Sequence, residues 1–125
     1  MIYATDFGQF ISEKRKEFSL TSTELARKIG ISTGYLSQLE RNKRVNPDIQ
    51  LLKKMITIFE LDEDEIVCFY ELYSKVSGEF CPDISEYIQS REAVKDAVRY
   101  AMKVKASNED WKKFIEFLSQ KTPSE

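Results

Sequence analysis

Residues 21–44 read TSTELARKIGISTGYLSQLERNKR. Two short segments of helical apolar spacing are broken by a glycine and followed by polar and basic residues. Thr21 and Glu24 are spaced as a capping box, in which the hydroxyl takes the orphan amide at the third helical position and the carboxylate reaches back. Leu25 and Ile29 lie four apart, with Ala26 beside them where a close helix crossing wants a small side chain. Gly30 ends this helix, because the left-handed conformation costs glycine almost nothing. Ile31 follows as a buried plug, and Ser32 caps the next helix. There Leu36 and Leu39 face inward, while Thr33, Gly34, Ser37, Gln38 and Arg41 stay outside. A solvated helix gains nothing from Gly34, which lowers helix propensity; a helix that approaches another surface closely can use it. Asn42 tolerates the left-handed region that releases the chain, and Lys43 and Arg44 lie beyond it.

Working outward, residues 6–17 form a first helix with Phe7, Phe10, Ile11 and Lys14 along one face and Arg15 at its edge. Phe18 and Leu20 anchor the following loop. Asn46-Pro47 breaks the chain after Arg44, and Asp48 starts a helix striped by Ile49, Leu52, Met55, Ile56 and Phe59. Asp62 or Asp64 caps a fifth helix carrying Ile66, Val67, Phe69, Tyr70 and Tyr73 and running to Val76. Gly78 to Pro82 interrupts it. Asp83 is expected to cap DISEYIQS, with Ile84, Tyr87 and Ile88 as its stripe. Residues 91–106 repeat apolar side chains at Val94, Ala97, Val98, Ala101 and Met102, and Asn108 opens a last helix bearing Trp111, Phe114, Ile115 and Leu118. The closing TPSE should fray.

Composition narrows the function. The 125 residues, 42% hydrophobic and 12% aromatic, suffice for one moderate core and an appendage. No basic apolar leader and no run of about 18 apolar residues suggests secretion or membrane spanning. With no histidine in the chain, the usual general base and the common third member of hydrolytic triads are missing. The acidic pairs Asp62/Asp64 and Glu109/Asp110 read as helix caps rather than as a site. Cys68 and Cys81 are too far apart for a CxxC pair and read as passive small residues, with no metal or cofactor implied. A reducing cytoplasm fits. Formal net charge is -2, yet residues through Asp62 carry 10 Lys/Arg against 8 Asp/Glu, and the remainder 9 against 13. Basic character therefore concentrates in the first half.

At Leu25, Ala26, Gly30, Leu36, Leu39 and Glu40 the sequence resembles the Cro/C1-type (XRE) helix-turn-helix domain of phage and bacterial repressors, over roughly Phe7 to Val67. The strings ELARKIGIS and YLSQLERNKRVNP carry the likeness. The resemblance implies an all-α fold, a five-helix helix-turn-helix domain over residues 1–76 with an extended fifth helix. About three further helices would follow over residues 77–125, forming a dimerisation or partner-binding extension. It implies a structural pair between Arg15 and Glu40, base-edge contacts at Thr33, Gly34, Ser37, Gln38 and Arg41, and phosphate contacts at Ser22, Lys28, Lys43 and Arg44. Three departures stand out: Lys14 occupies an apolar core position, where its stem would have to snorkel; Gly34 removes a reading side chain; and Asn42 replaces the common glycine. The order PDISEYI, REAVKDAVRYAMK, NEDWKKFIEFL also looks like the extension of some mobile-element regulators. Its apolar surface should dock on the helix-turn-helix core, on its own copy in a dimer or on another protein, with Tyr70, Tyr73, Trp111 and Phe114 as the candidate contacts.

The function implied is a cytoplasmic, sequence-specific regulator of transcription, a repressor binding a palindromic double-stranded DNA operator as a homodimer. It is not an enzyme, needs no cofactor and has no membrane association. The alternative is a protein-interaction module on the same scaffold, such as an antitoxin or a phage inhibitor of a host defence protein, engaging its partner through the C-terminal extension.

Overall fold

Every helix of the first half begins on a side-chain cap. In a computed structural model describing residues 6–122, Asp6, Thr21, Ser32, Asp48 and Asp62 each accept an amide hydrogen bond from three residues on. These caps start α1 (Phe7–Glu17), α2 (Ser22–Ile29), α3 (Thr33–Glu40), α4 (Ile49–Ile58) and α5 (Glu63–Ser77). They are followed by α6 (Pro82–Gln89), α7 (Glu92–Val104) and α8 (Asn108–Leu118). The described residues are all-helical, without strands. The expected fraying of TPSE falls mostly on residues 123–125, which lie outside the described residues. One start differs from expectation. Pro82 occupies the first position of α6, where its missing N–H is no loss, so Asp83 sits in the first turn instead of capping it. The last helix starts at Asn108 as expected, capped by Ser107 with Asp110 completing a capping box.

Helix exits are less legible from sequence. Gly30 (φ 78°) and Gly78 (φ 76°) terminate α2 and α5, but Ser19, Asn42, Glu60 and Lys105 adopt left-handed backbone without being glycine, at φ 50–57°. At each of these four the next amide reaches the carbonyl five residues back, as in Leu61 N–H to Ile56 (3.2 Å) and Lys43 N–H to Gln38 (2.8 Å). Satisfying those orphan carbonyls offsets the left-handed cost.

The chain divides into two compact units, one ending at Ser85 and one beginning at Glu86. In the first, α1 packs on α3 and α5, and α2 on α3 and α4. Phe7, Phe10, Ile11, Leu25, Ile29, Leu36, Leu39, Leu52, Met55 and Phe69 are sealed from water. Phe69 of α5 is the aromatic centre, 5.2 Å from Phe7, 5.4 Å from Phe10 and 5.9 Å from Tyr70 between ring centroids. Tyr73 meets Phe7 edge-on at 5.7 Å. Tyr70 and Tyr73 are thus 6% and 7% exposed, and the expectation that they contact a partner does not fit. Their rings fill the core because α5 buries the face they share with Phe69. Val67, expected in that stripe, is half exposed.

Lys14 does not snorkel to water; it is 8% exposed. Its ammonium forms an ion pair with Glu65 of α5 and a longer one, 3.6 Å, with Glu17. Glu65 serves twice, since its other oxygen accepts the Asp62 amide at 3.1 Å in the α5 capping box. Burial opposes the charge on Lys14, but the hydrogen bond and charge of Glu65 outweigh it and hold the ammonium above its ordinary range. The Lys14 hydrogen bond, then the Asp62 amide, hold the Glu65 carboxyl below its ordinary range.

Among its described residues the second unit, by contrast, buries none of the larger apolar side chains. Tyr100, Met102, Val104, Ile115 and Phe117 are more than half exposed, and neither α7 nor α8 contains a buried residue. Trp111, Phe114 and Phe117 form an aromatic ladder along α8, with centroids 6.0 and 6.3 Å apart. Between α7 and α8 lies an apolar crevice of about 470 Å³, floored by Ala97 and Ala101 and walled by Tyr100, Val104, Trp111 and Phe114.

Two outcomes test this account. The Glu65 contribution should be complete above the ordinary carboxylate pKa of about 4.3 and disappear as pH falls through the depressed native value. The Lys14 contribution should disappear only as pH rises through a value above the ordinary amine pKa of about 10.4. Denaturant titrations of Glu65→Gln against the unaltered chain should therefore show a constant stability gap from about pH 5 to pH 10 that narrows at both ends. Separately, Glu60→Gly should raise stability by about 0.5–1 kcal/mol, the relief of left-handed strain less the added unfolded-state entropy, read as a rise in melting temperature.

Candidate nucleic-acid interface

The surface of interest is the outer face of α3 and the turn that follows. Thr33, Gly34 and Arg41 are exposed, and Ser37 and Gln38 are half-buried, while Leu36 and Leu39 lie wholly inside. A Cβ built on Gly34 would meet nothing within 4 Å, so that glycine serves no internal packing. Gly34 and Gln38 line, with Ile31, Ser32, Tyr35 and Arg44, an open hollow of about 600 Å³. Lys43 and Arg44 line a neighbouring hollow of about 280 Å³ with Tyr35, Val45 and Asn46. The Arg41 guanidinium is folded back on its own helix, donating to the Ser37 carbonyl at 3.3 Å, and must swing out to reach anything else. Ser22 and Lys28 lie on α2, half-buried and exposed respectively, and line neither hollow.

The cationic turn is rigidly joined to α3. The Gln38 carbonyl accepts the Lys43 amide at 2.8 Å and the Arg44 amide at 3.2 Å, while Asn42 N–H bonds to Leu39 at 3.1 Å. This is the Schellman pattern with asparagine at the left-handed position, φ 57°. Glycine would make the same turn, but asparagine adds a tether, because its side-chain oxygen accepts the Gly8 amide at the start of α1, 3.0 Å away. Asp6 closes the cluster, its carboxyl held below the ordinary range first by the Asn42 side chain and then by the Gln9 amide. The approach demands Gly8, since a Cβ there would lie 2.4 Å from the Glu40 carbonyl oxygen and 2.8 Å from Asn42 Oδ1.

Beside this clamp, Arg15 meets Glu40 with two parallel hydrogen bonds, Nε to Oε2 at 2.8 Å and Nη2 to Oε1 at 3.1 Å. A third nitrogen donates to the Leu20 carbonyl at 3.1 Å. The pair is mostly withdrawn from water, with side chains 15% and 11% exposed. A two-point fork fixes orientation as well as distance, so α1 holds the last turn of α3 in one pose.

Tyr35 and Gly8 escaped the sequence reading. Gly8 carried a usable signal: glycine inside a helix is unfavourable by about 1 kcal/mol and implies a close neighbour. Tyr35 carried a weaker one, an aromatic ring within a short polar helix. Trp111 and Phe114, by comparison, are 38% and 47% exposed on α8. The cysteines take no part: Cys68 is half-buried, and Cys81 is buried with its thiol donating to Glu71 at 3.4 Å. Desolvation and then Glu71 push that thiol up in pKa, away from reactivity. Among the described residues no helix is long and apolar enough to cross a membrane.

The family model HTH_3, helix-turn-helix, matches residues 11–66. The HTH-type transcriptional regulator SinR of Bacillus subtilis (strain 168) is 43% identical over 54 residues, 43% of this chain and 49% of SinR. The ImmF control region 10 kDa protein of Bacillus phage phi105 is 37% identical over 62 residues, 50% of this chain and 68% of that protein. A chain of the solved SinR protein/SinI protein complex aligns at 26% identity and a TM-score of 0.43, covering 91% of this chain and 95% of that one. The match thus spans about half the length of SinR. From the aligned residues and the α1–α5 arrangement they build, the chain belongs to the Cro/C1-type (XRE) helix-turn-helix family.

Proposed function

We propose that the protein is a sequence-specific double-stranded DNA-binding regulator of transcription, a repressor that occupies a palindromic operator as a homodimer. The observation that carries this reading is the α3 surface, a short helix with an outward face of small polar side chains and two cations locked to its end by the Gln38 carbonyl. Base edges in the major groove reward such a helix, and phosphates reward cations at its rim. Gln38 suits adenine, donating to N7 or accepting from N6 through its amide; Thr33 and Ser37 offer hydroxyls; Arg41 suits guanine once it swings out. Gly34 lets the helix backbone come close. Lys43, Arg44, Lys28 and Ser22 take the phosphates. Regulators are what the SinR relatives are by name.

One such module reads only a few base pairs, so useful specificity calls for two copies about 34–36 Å apart along the duplex. The exposed apolar side chains of α7 and α8 suit that pairing, because a surface of that kind is unstable in water without a cover. The same observation favours a second reading, in which α7 and α8 take a different protein, as an antitoxin or a phage inhibitor of a host defence protein would.

Binding to the DNA upstream of its own gene should weaken linearly in log–log with salt, and Lys43→Ala or Arg44→Ala should each reduce the slope by about 1. Gln38→Ala should cost about 1–3 kcal/mol on the preferred site and flatten discrimination among sequences. Equal affinity for all sequences would remove the regulator reading. In sedimentation, the unaltered chain should run as a dimer and Phe114→Asp with Phe117→Asp as a monomer of unchanged melting temperature in its first unit. A monomeric unaltered chain would favour the second reading.

A further inference from the structure

Tyr35 has no part in the contacts assigned so far. It is the third residue of α3, half-buried, with its amide donating to the Ser32 capping oxygen at 3.0 Å. The Arg44 guanidinium lies over its ring, 5.7 Å from the centroid. Tyr35 and Arg44 are also the two residues common to both surface hollows, so the pair lines both. Arg44 is thereby held at both ends, its backbone amide on the Gln38 carbonyl and its head on an aromatic face.

We propose that Tyr35 is a positioning residue for DNA binding, holding the Arg44 guanidinium poised to grip a backbone phosphate. The inference rests on the DNA reading above and deepens it. A cation over a ring face is held without giving up a hydrogen bond, so the guanidinium N–H donors stay available for a two-point bond to phosphate oxygens. An arginine already stacked also has less rotamer freedom to lose on binding. Lysine at this position would keep the charge but neither the plane nor the fork.

The test is a double-mutant cycle on the full chain with its own upstream duplex across a salt series, together with NMR of the free protein. Tyr35→Phe keeps the ring and should bind within about twofold of the unaltered chain. Tyr35→Leu keeps apolar bulk without the aromatic face and should weaken binding about two- to fivefold, the size of an exposed cation–π contact. In an Arg44→Ala background the same Tyr35→Leu change should cost nothing more. The Arg44 side-chain methylene protons should be shifted upfield from random-coil positions in the unaltered protein and in Tyr35→Phe. That reading on the unaltered protein stands even where Tyr35→Leu unfolds. Equal losses with and without Arg44, or methylene protons at random-coil positions, overturn the proposal. Shifted protons in a protein that shows no salt-dependent DNA binding would instead overturn the DNA reading, and the assigned role with it, while leaving the stack measured.

Discussion

The last turn of α3 is held from beneath by α1, and the orientation of the exposed face depends on that hold. Arg15 grips Glu40 with two hydrogen bonds, and the Gly8 amide grips the Asn42 side chain two residues further on. The net stabilisation from a desolvated ion pair is small, since the cost of removing both charges from water opposes their attraction. Its geometric effect is larger. A planar fork tolerates little rotation, and the Asn42 tether sets the direction in which the chain leaves the helix. Lys43 and Arg44 follow at once, with their amides on the Gln38 carbonyl. A surface that must meet another rigid body benefits from being fixed beforehand, because freedom removed in folding is not paid for again on contact.

The two halves of the chain solve opposite physical problems. The first unit closes an aromatic core around Phe69 and leaves a polar helix and the cationic turn after it outside. Even its one buried cation, Lys14, finds a carboxylate on α5. The second unit builds amphipathic helices, of which α8 carries a capping box, whose apolar faces stay wet, with the aromatic ladder of α8 exposed along its length. Capping and helical propensity form such helices, but they do not bury them. That contrast is why the first unit invites a reading in terms of DNA and the second in terms of a protein partner.

Much of this was legible from residue order. The caps at Thr21, Ser32, Asp48 and Asp62, the inward leucines of α2 and α3 and the left-handed Asn42 follow from short-range rules, because each involves atoms within a few residues of one another. The errors arose where a side chain's partner is distant in sequence. Tyr73 read as part of a docking surface until α1 supplied Phe7 against it; Lys14 read as a snorkelling stem until Glu65 arrived from 51 residues away. The demand for Gly8 likewise rests on a distant partner, the Glu40 carbonyl that a Cβ there would meet.

By itself, then, residue order determined eight helices, most of their starts, and which stripe of each is apolar, since capping and periodicity act along the chain. Only the tertiary structure decided which apolar stripes find cover, which charges pair, and that Arg44 rests on Tyr35, because those outcomes depend on how helices cross and therefore on contacts that sequence spacing does not encode.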